Sequence, residues 1–223
     1  MSASPSVGGL GGGGRGGRGL GGVGEKGGAA WLRPTVHAAM GLHALWLGVL
    51  PLWGAVAMAL AAIVLNWFIL PRTAFGRRLE RPGEPFLGGL KTYPVAVLGL
   101  ILWLPPAEAA AAWGILAFGD GAASLVGRAV AAPRLFGHRK ATWSGTPAFV
   151  LFGAAAGYGL GQGVVALSGL APWVEPGLAP GWGRVLAAAS AAALVDLVRI
   201  PPDDNLPCAA SAGGVLHALR GLL

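Results

Sequence analysis

The chain has 223 residues, of which 54% are hydrophobic and only 11% are charged, and its mean hydropathy is +0.64. Soluble domains carry about 25% charged residues, so this composition excludes an ordinary soluble domain and indicates an integral membrane protein. The single cysteine, Cys208, excludes an internal disulfide and a cysteine-based zinc cluster. The net charge of +7 does not indicate nucleic acid, because the basic residues lie between apolar stretches, where lipid headgroups or phosphates are the expected partners.

The N-terminal segment, residues 1–28, is a low-complexity stretch rich in glycine, with basic residues at Arg15, Arg18 and Lys26. It lacks the apolar core of a signal peptide. It also lacks the apolar surface that a folded segment must bury. We therefore predict a disordered segment over residues 1–28 and an integral membrane domain over residues 29–223.

The rest of the chain alternates between apolar stretches and short segments that contain proline or charge. A membrane-spanning helix needs about 20 apolar residues, and prolines mark where such helices end. The fold class that follows is all-α, a polytopic membrane helix bundle of about seven transmembrane helices. The predicted spans are residues 35–50, 52–70, 91–105, 108–128, 144–170, 182–200 and 206–222.

The distribution of charge predicts the orientation of these spans. If the N-terminus is cytoplasmic, the inside segments hold 14 of the 16 Lys and Arg residues, and only Arg184 and Arg220 lie toward the other side. This bias follows the positive-inside rule. We expect an integral protein of the cell inner membrane with its chemistry at the cytoplasmic face. The inside segments are residues 1–34, 71–91, 128–143 and 199–205.

Two features early in the chain leave their roles open. His37 lies four residues after Arg33 in the first span, where a lone histidine is more often a packed or hydrogen-bonded residue than a catalyst. The charged segment from Arg77 to Glu84 contains Arg-Pro-Gly-Glu at 81–84. It could contact phosphate or lipid headgroups, or be a solvated connector.

The strongest candidate is Asp120, which lies between Gly119 and Gly121 in an otherwise apolar span. An unpaired carboxylate in a span costs about 2.5–3.5 kcal/mol on insertion scales and is usually functional. A divalent cation would remove that cost, and the glycines would let the backbone approach a ligand or break the helix. The alternative is a helix kink in which Asp120 bonds to a neighbouring span.

A basic loop follows from Arg134 to Lys140 and includes His138 and Arg139. The positive-inside rule alone explains such a loop. The next residues, Trp143-Ser144-Gly145-Thr146, add a hydroxyl and a glycine at the start of a helix, which suits an anion at a helix N-terminus. The alternative for Ser144 is a simple N-cap.

The last candidate group surrounds the end of the sixth predicted span. Asp196 and Arg199 are three residues apart on one helix face, where they could simply pair with each other. Asp203-Asp204-Asn205 is a dense set of oxygen ligands of the kind that Mg²⁺ uses together with phosphate oxygens. Its alternative is a polar turn before the last span. In the predicted topology these groups and Asp120 collect at the cytoplasmic face.

Five motifs in a fixed order give residues 31–223 a family resemblance. They are Arg33 with His37; Arg81 to Glu84; Gly119 to Gly121 with Ala123, Gly127 and Arg128; Lys140 with Trp143, Ser144 and Gly145; and Asp203 to Asn205. This order resembles the phytol kinase and farnesol kinase group of the CTP-dependent polyprenol (dolichol) kinase family. The chain departs from that pattern by one extra residue after Lys140, by Thr146 at the end of that motif, and by Asp196 where glutamate is usual.

The resemblance implies a CTP-dependent isoprenoid alcohol kinase. Such an enzyme transfers a phosphoryl group from CTP or another nucleoside triphosphate to a membrane-dissolved isoprenoid alcohol such as phytol, geranylgeraniol or farnesol. A CTP-dependent diacylglycerol kinase and a CTP:phosphatidate cytidylyltransferase are alternatives, and a transporter or membrane scaffold is a remote one. We expect Mg²⁺ as the cofactor. The expected roles are metal binding by Asp120, Asp203, Asp204 and Asn205; nucleotide binding by Gly119, Gly121, Arg128, Arg139, Lys140, Ser144 and Gly145; and catalysis by Asp120, Asp196 and Lys140.

Overall fold

The computed structural model describes residues 23–79, 88–130, 132–135, 141–198, 200–201 and 203–222. Over these residues the fold is all-α, as predicted, with one isolated bridge between Arg134 and Thr142 in place of any strand. The helices are α1 (Val23–Gly41), α2 (Leu52–Val64), α3 (Ala74–Leu79), α4 (Gly89–Trp103), α5 (Pro106–Ala129), α6 (Gly145–Ser168), α7 (Trp182–Asp196) and α8 (Asn205–Ala218).

Three helical stretches are long and apolar enough to cross a membrane. The first continues α2 through a π-helical turn at Leu65–Ile69 to Arg72, and the other two are α5 and α6. The fourth helix is apolar but shorter. Helix α1 begins at Val23, within the segment predicted to be disordered, whereas residues 1–22 lie outside the described part of the chain.

Helix α5 is the centre of the bundle. It packs against α1, α4, α6, α7 and α8, and every residue from Ala107 to Ala117 is buried. A helix surrounded on all sides needs small, apolar residues, and its sequence supplies a run of alanines there. Asp120 lies one turn beyond this buried stretch, so the packing of α5 carries the carboxylate to one end of the bundle.

The tightest packing in the bundle joins α5 to α6. Gly153, Gly157 and Gly161 recur every four residues on the face of α6 that meets α5. A Cβ atom on Gly157 would lie 2.9 Å from the carbonyl oxygen of Ala111. Small residues with this spacing allow two helix backbones to approach closely, which is a common way of packing helices in membranes.

A cluster of charges, in which Glu108 and Arg184 are buried and Arg220 is exposed, joins three helices at the end of the bundle opposite Asp120. Glu108, in the first turn of α5, accepts a hydrogen bond of 2.7 Å from Arg184 of α7. It also accepts bonds of 3.0 and 2.6 Å from Nε and Nη2 of Arg220, which follows α8. Arg184 donates in addition to the carbonyl oxygen of Leu216. The two arginines that depart from the charge bias of the sequence are thus paired with one carboxylate.

Candidate functional site

A polar cavity of about 380 Å³ lies at the Asp120 end of α5. Its walls come from α1, α5, α6, the end of α7, the start of α8 and the segment that precedes α6. The charged side chains that line it are Arg33, Asp120, Arg128, Arg134, Asp196, Asp203 and Asp204. Segments that are far apart in the sequence therefore contribute four carboxylates and three guanidinium groups to one concave site, which makes it the default candidate for ligand binding.

Twelve residues were assigned metal-binding, nucleotide-binding or catalytic roles from the sequence, and seven of them line the cavity: Asp120, Arg128, Gly145, Asp196, Asp203, Asp204 and Asn205. Other residues of the sequence motifs line it as well, namely Arg33, His37, Ala123, Gly127, Arg134 and Thr146. Gly119, Gly121 and Ser144 are described but do not line it. The remaining predictions, which concern His138, Arg139, Lys140, Arg199 and the Arg-Pro-Gly-Glu motif at 81–84, lie outside the described residues.

Asp120 lines the cavity, and 41% of its side chain is exposed. Its Oδ2 atom lies 4.0 Å from Nε2 of His37 on α1. The His37 ring packs on Tyr93 with 4.2 Å between ring centroids. The Tyr93 hydroxyl in turn accepts a 2.6 Å hydrogen bond from the Trp113 indole. His37 is therefore oriented by a chain of contacts that runs back into the core.

The glycines beside Asp120 serve helix packing. A Cβ atom on Gly119 would lie 2.7 Å from the ring of Phe149 on α6, and one on Gly121 would lie 3.2 Å from the carbonyl oxygen of Pro34 on α1. Helix α5 continues without a break through Asp120 to Ala129. In this structure Gly119 and Gly121 thus let two neighbouring helices approach α5, and the contacts they make are with protein.

The loop between α7 and α8 is held against the start of α4 by buried hydrogen bonds. The Thr92 hydroxyl donates to Oδ1 of Asp203 at 2.5 Å, and the backbone amide of Asn205 donates to the same oxygen at 2.8 Å. The Asn205 side-chain nitrogen donates to the carbonyl oxygen of Gly89 and to the Thr92 hydroxyl, both at 3.0 Å. Asn205 is buried and its amide nitrogen supports the fold, so it positions the two aspartates that precede it.

Burial raises the pKa of the Asp203 carboxyl above its ordinary value. The hydrogen bonds from Thr92 and from the Asn205 amide oppose that rise, the neighbouring Asp204 adds to it, and Arg33 opposes it. A further cation close to Asp203 would stabilise the ionised form of its carboxyl group and so oppose the rise in its pKa.

Gly89 is required where Arg33 and Asp203 meet. A Cβ atom at this position would lie 2.5 Å from Nη2 of Arg33 and 2.8 Å from Oδ2 of Asp203. The same guanidinium group donates to the carbonyl oxygen of Leu79 at 3.3 Å. The start of α4 therefore needs a residue without a side chain, so that an arginine and an aspartate can share the space above it.

Thr142 organises the turn that leads into α6. Its hydroxyl oxygen accepts a hydrogen bond of 3.0 Å from the amide of Gly145 and lies 3.4 Å from the Ser144 hydroxyl. Ser144 occupies the N-cap position, but its side chain makes no capping bond. The expected N-cap is therefore supplied by Thr142, two residues earlier. Backbone bonds from Leu135 to Ala141 and from Trp143 to Pro133 bring the two ends of the basic loop together.

The carboxylates of the cavity do not form a ready-made metal cage. Among the described residues, no three His, Cys, Asp or Glu side chains are grouped closely enough to hold a metal ion by themselves. Mg²⁺ usually takes one or two protein carboxylates and completes its shell with phosphate oxygens and water. The oxygen donors of this cavity fit Mg²⁺ in that manner, together with a phosphate ligand.

A second cavity, of about 220 Å³, adjoins the polar one and is largely apolar. It lies between α1, α2, α3 and α4, and its walls include Met40, Met58, Leu70 and Val97. Arg33 and His37 line both cavities. The site thus has a charged compartment and an apolar compartment with a shared wall.

Sequence reasoning did not single out Gly89, Thr92 or Thr142. The available signals were modest: Thr92 is a polar residue just inside a predicted span, and Gly89 belongs to a glycine pair before it.

No protein-family model, curated protein or solved structure matches this chain significantly. Its function is therefore argued from the motifs and from the geometry of the two cavities.

Proposed function

We propose that this chain is a membrane lipid kinase that transfers the γ-phosphate of CTP, or of another nucleoside triphosphate, to an isoprenoid alcohol such as phytol, geranylgeraniol or farnesol. The observation that carries the proposal is the polar cavity, in which acidic and basic side chains from distant segments meet beside an apolar compartment. Phosphoryl transfer needs mainly positioning and charge neutralisation, and this cavity offers groups for both.

The chain crosses the cell inner membrane seven times with its N-terminus in the cytoplasm. In this arrangement the polar cavity opens to the cytoplasm, where nucleoside triphosphates are dissolved, while the lipid substrate reaches it from the bilayer. The bias of 14 of 16 Lys and Arg residues toward the inside segments supports this orientation.

The guanidinium groups of the cavity bind the triphosphate. Arg128 and Arg134 line the cavity from α5 and from the segment after it. Planar guanidinium groups donate two parallel hydrogen bonds to phosphate oxygens, which fixes the orientation of the ligand as well as its position. The N-terminus of α6 at Gly145 adds backbone donors to this half of the site. Arg139 and Lys140, which lie outside the described residues, keep the nucleotide-binding role that the resemblance implies.

Asp120, with one or both of Asp203 and Asp204, holds Mg²⁺. When it is bound, the cation neutralises charge on the phosphates. Asn205 and Thr92 keep the Asp203-Asp204 loop against α4, and this support maintains the position of both carboxylates.

Asp196 orients the acceptor and takes its proton. The hydroxyl oxygen of the alcohol forms a bond to the γ-phosphorus, and the bond from that phosphorus to the β–γ bridging oxygen breaks. The nucleoside diphosphate leaves with the electrons of that bond, and the hydroxyl proton passes to the Asp196 carboxylate.

The proposal is tested with purified protein, Mg²⁺, and CTP or ATP labelled at the γ-phosphate, in the presence of single lipid alcohols. We expect the label in the phosphorylated isoprenoid alcohol and release of the nucleoside diphosphate. Label in phosphatidic acid would instead indicate a diacylglycerol kinase, and release of pyrophosphate a CTP:phosphatidate cytidylyltransferase. Failure to modify any lipid would contradict all three enzyme activities and favour a transporter or scaffold.

A further inference from the structure

The apolar cavity has an opening toward the surroundings of the bundle. Leu65, in the π-helical turn after α2, and Phe75 of α3 both line it, yet they are 44% and 46% exposed. On the same helical stretch Phe68 and Ile69 are also exposed. In a membrane Leu65, Phe68 and Ile69 contact lipid chains, whereas Phe75, two residues before the exposed Arg77, lies at the cytoplasmic edge of the bilayer, so the cavity opens where hydrocarbon meets the headgroups. Single π-helical turns frequently occur at functional sites.

The two cavities meet at His37 and Arg33. The His37 ring has the Tyr93 side of the apolar cavity on one face, and its Nε2 atom lies 4.0 Å from Asp120 in the polar cavity. A molecule with one long apolar part and one terminal hydroxyl matches this layout. Its apolar part suits the apolar cavity, and its hydroxyl suits the polar cavity on the other side of Arg33 and His37.

The size of the apolar cavity limits what it can enclose. Pockets that enclose a whole drug-sized ligand measure about 300–1,000 Å³, whereas this one measures about 220 Å³. It therefore holds only the part of a chain nearest the hydroxyl, and the remainder passes through the opening into the bilayer. A diacylglycerol would bring two chains and two ester groups to this space, and although polar side chains such as Asn66 and Tyr93 also line the wall, the cavity is too small to enclose both chains.

We propose that the apolar cavity binds the proximal hydrocarbon chain of a single-chain lipid alcohol and directs its hydroxyl past Arg33 and His37 into the polar cavity. This inference rests on the proposed kinase function; it assigns the cavity that holds the acceptor's hydrocarbon chain and excludes two-chain acceptors such as diacylglycerol. Because the distal chain stays in the bilayer, alcohols that share the proximal segment but differ in total length are used with similar efficiency.

The test compares two substitutions of adjacent alanines in helix α2. Ala62 lines the apolar cavity, whereas Ala61 is exposed on the outer surface of the same helix. In Ala62→Phe the new ring fills the cavity, and we expect the KM for geranylgeraniol to rise about tenfold, the loss that follows when about two methylene groups no longer fit. The KM for CTP should be unchanged in this variant, and Ala61→Phe should resemble the wild type.

Binding is measured separately from phosphoryl transfer, without nucleotide, by crosslinking the wild-type protein with a photoreactive geranylgeraniol analogue. We expect the label on walls such as Met58 and Phe75, with displacement by excess geranylgeraniol and not by diacylglycerol. Label confined to residues outside the cavity, equal displacement by diacylglycerol, or equal KM values in the two alanine variants would overturn the inference. Labelled cavity walls in a protein that never phosphorylates the alcohol would support the cavity assignment and contradict the kinase proposal.

Discussion

A carboxylate inside a membrane protein is stable only where water, a cation or a hydrogen-bond donor can reach it. Asp120 meets this condition because α5 ends its fully buried stretch at Ala117 and delivers the next turn to the polar cavity. The glycines that flank Asp120 were expected to let the backbone approach a ligand. Helix packing against Phe149 and Pro34 is a simpler physical reason for glycine at these two positions. At the scale of single residues, Asp120 thus contributes its carboxylate to the polar cavity, whereas Gly119 and Gly121 allow neighbouring helices to pack against α5.

Asp120→Asn should reduce phosphoryl transfer by about 10²–10³-fold, the usual effect of removing one electrostatic contact from a transition state. Stability should change little, because the side chain is partly exposed and Asn has the same shape. Labelled product from CTP measures the first effect, and chemical denaturation in detergent measures the second. A variant that folds normally and keeps full activity would remove Asp120 from the mechanism.

Thr92→Val should destabilise the protein by about 1–3 kcal/mol, since it leaves Asp203 without one donor and Asn205 without one acceptor in a buried setting. Activity should fall as well, through displacement of the Asp203-Asp204 loop. The free energy of unfolding and the rate of product formation are compared with those of Thr92→Ser, which keeps the hydroxyl. If Val and Ser behave alike, the hydrogen bonds of Thr92 do not support the site.

Whole helices are held together by different means at the two ends of the bundle. At the polar cavity the links are hydrogen bonds between loops and helix starts, such as that from Asn205 to Gly89. At the opposite end the link is the ion cluster of Glu108, Arg184 and Arg220. Between them the α5–α6 contact depends on close backbone approach at the glycines of α6. The hydrogen bonds at the polar cavity position the residues of the candidate site. The ion cluster and the α5–α6 contact hold together the helices that carry those residues.

Glu108→Gln should lower the free energy of unfolding by about 3–5 kcal/mol, because removing one partner leaves buried Arg184 without its counter-charge. The protein that remains folded should keep its KM values, since the cluster lies far from the cavity. Glu175→Gln is the matched control: it changes an exposed glutamate at the same end of the bundle and should have no effect. Equal stability of the two variants would show that the cluster contributes nothing.

Gly157→Ala should lower the free energy of unfolding by about 1–3 kcal/mol, because its Cβ atom would lie 2.9 Å from a backbone carbonyl oxygen of α5. Gly159 lies two residues further along the same helix. Gly159→Ala should be neutral or stabilising by about 0.5–1 kcal/mol, since nothing lies within 4 Å of its Cβ position. Thermal denaturation in detergent compares the two. The reverse order of stability would contradict close packing between α5 and α6.

At the scale of the whole molecule, the arrangement of charge is the main guide to orientation in the membrane. The polar cavity gathers its charged side chains at one end of the bundle, and the exposed tryptophans include Trp53, Trp103, Trp173 and Trp182 near the other end. Tryptophans favour the interface between membrane and water, so their positions are consistent with a bundle that spans the bilayer.

The proposed topology predicts opposite compartments for Arg77 and Leu178. In a Cys208→Ala background, Arg77→Cys should be protected from a membrane-impermeant thiol reagent added to intact cells, and Leu178→Cys should react. Both positions are exposed in the folded protein, so the difference reports the compartment. The opposite labelling pattern would reverse the orientation and place the polar cavity outside the cytoplasm.

The sequence by itself determined the all-α class, the positions of most helices and the candidate carboxylates, because hydropathy, proline and charge act locally along the chain. Six of the seven predicted spans coincide with helical stretches to within a few residues, whereas the first, 35–50, falls on the end of α1, which begins at Val23, and on a 3-10 helix at Leu42–Gly48. Three of the helical stretches are long and apolar enough to cross a membrane. Only the tertiary structure decided that Asp120, Asp196 and Asp203 share one cavity, that Thr92 and Asn205 support it, and that Glu108 pairs with two arginines. Such contacts depend on which helix faces meet, and that is set by packing around α5, which no local property of the chain specifies.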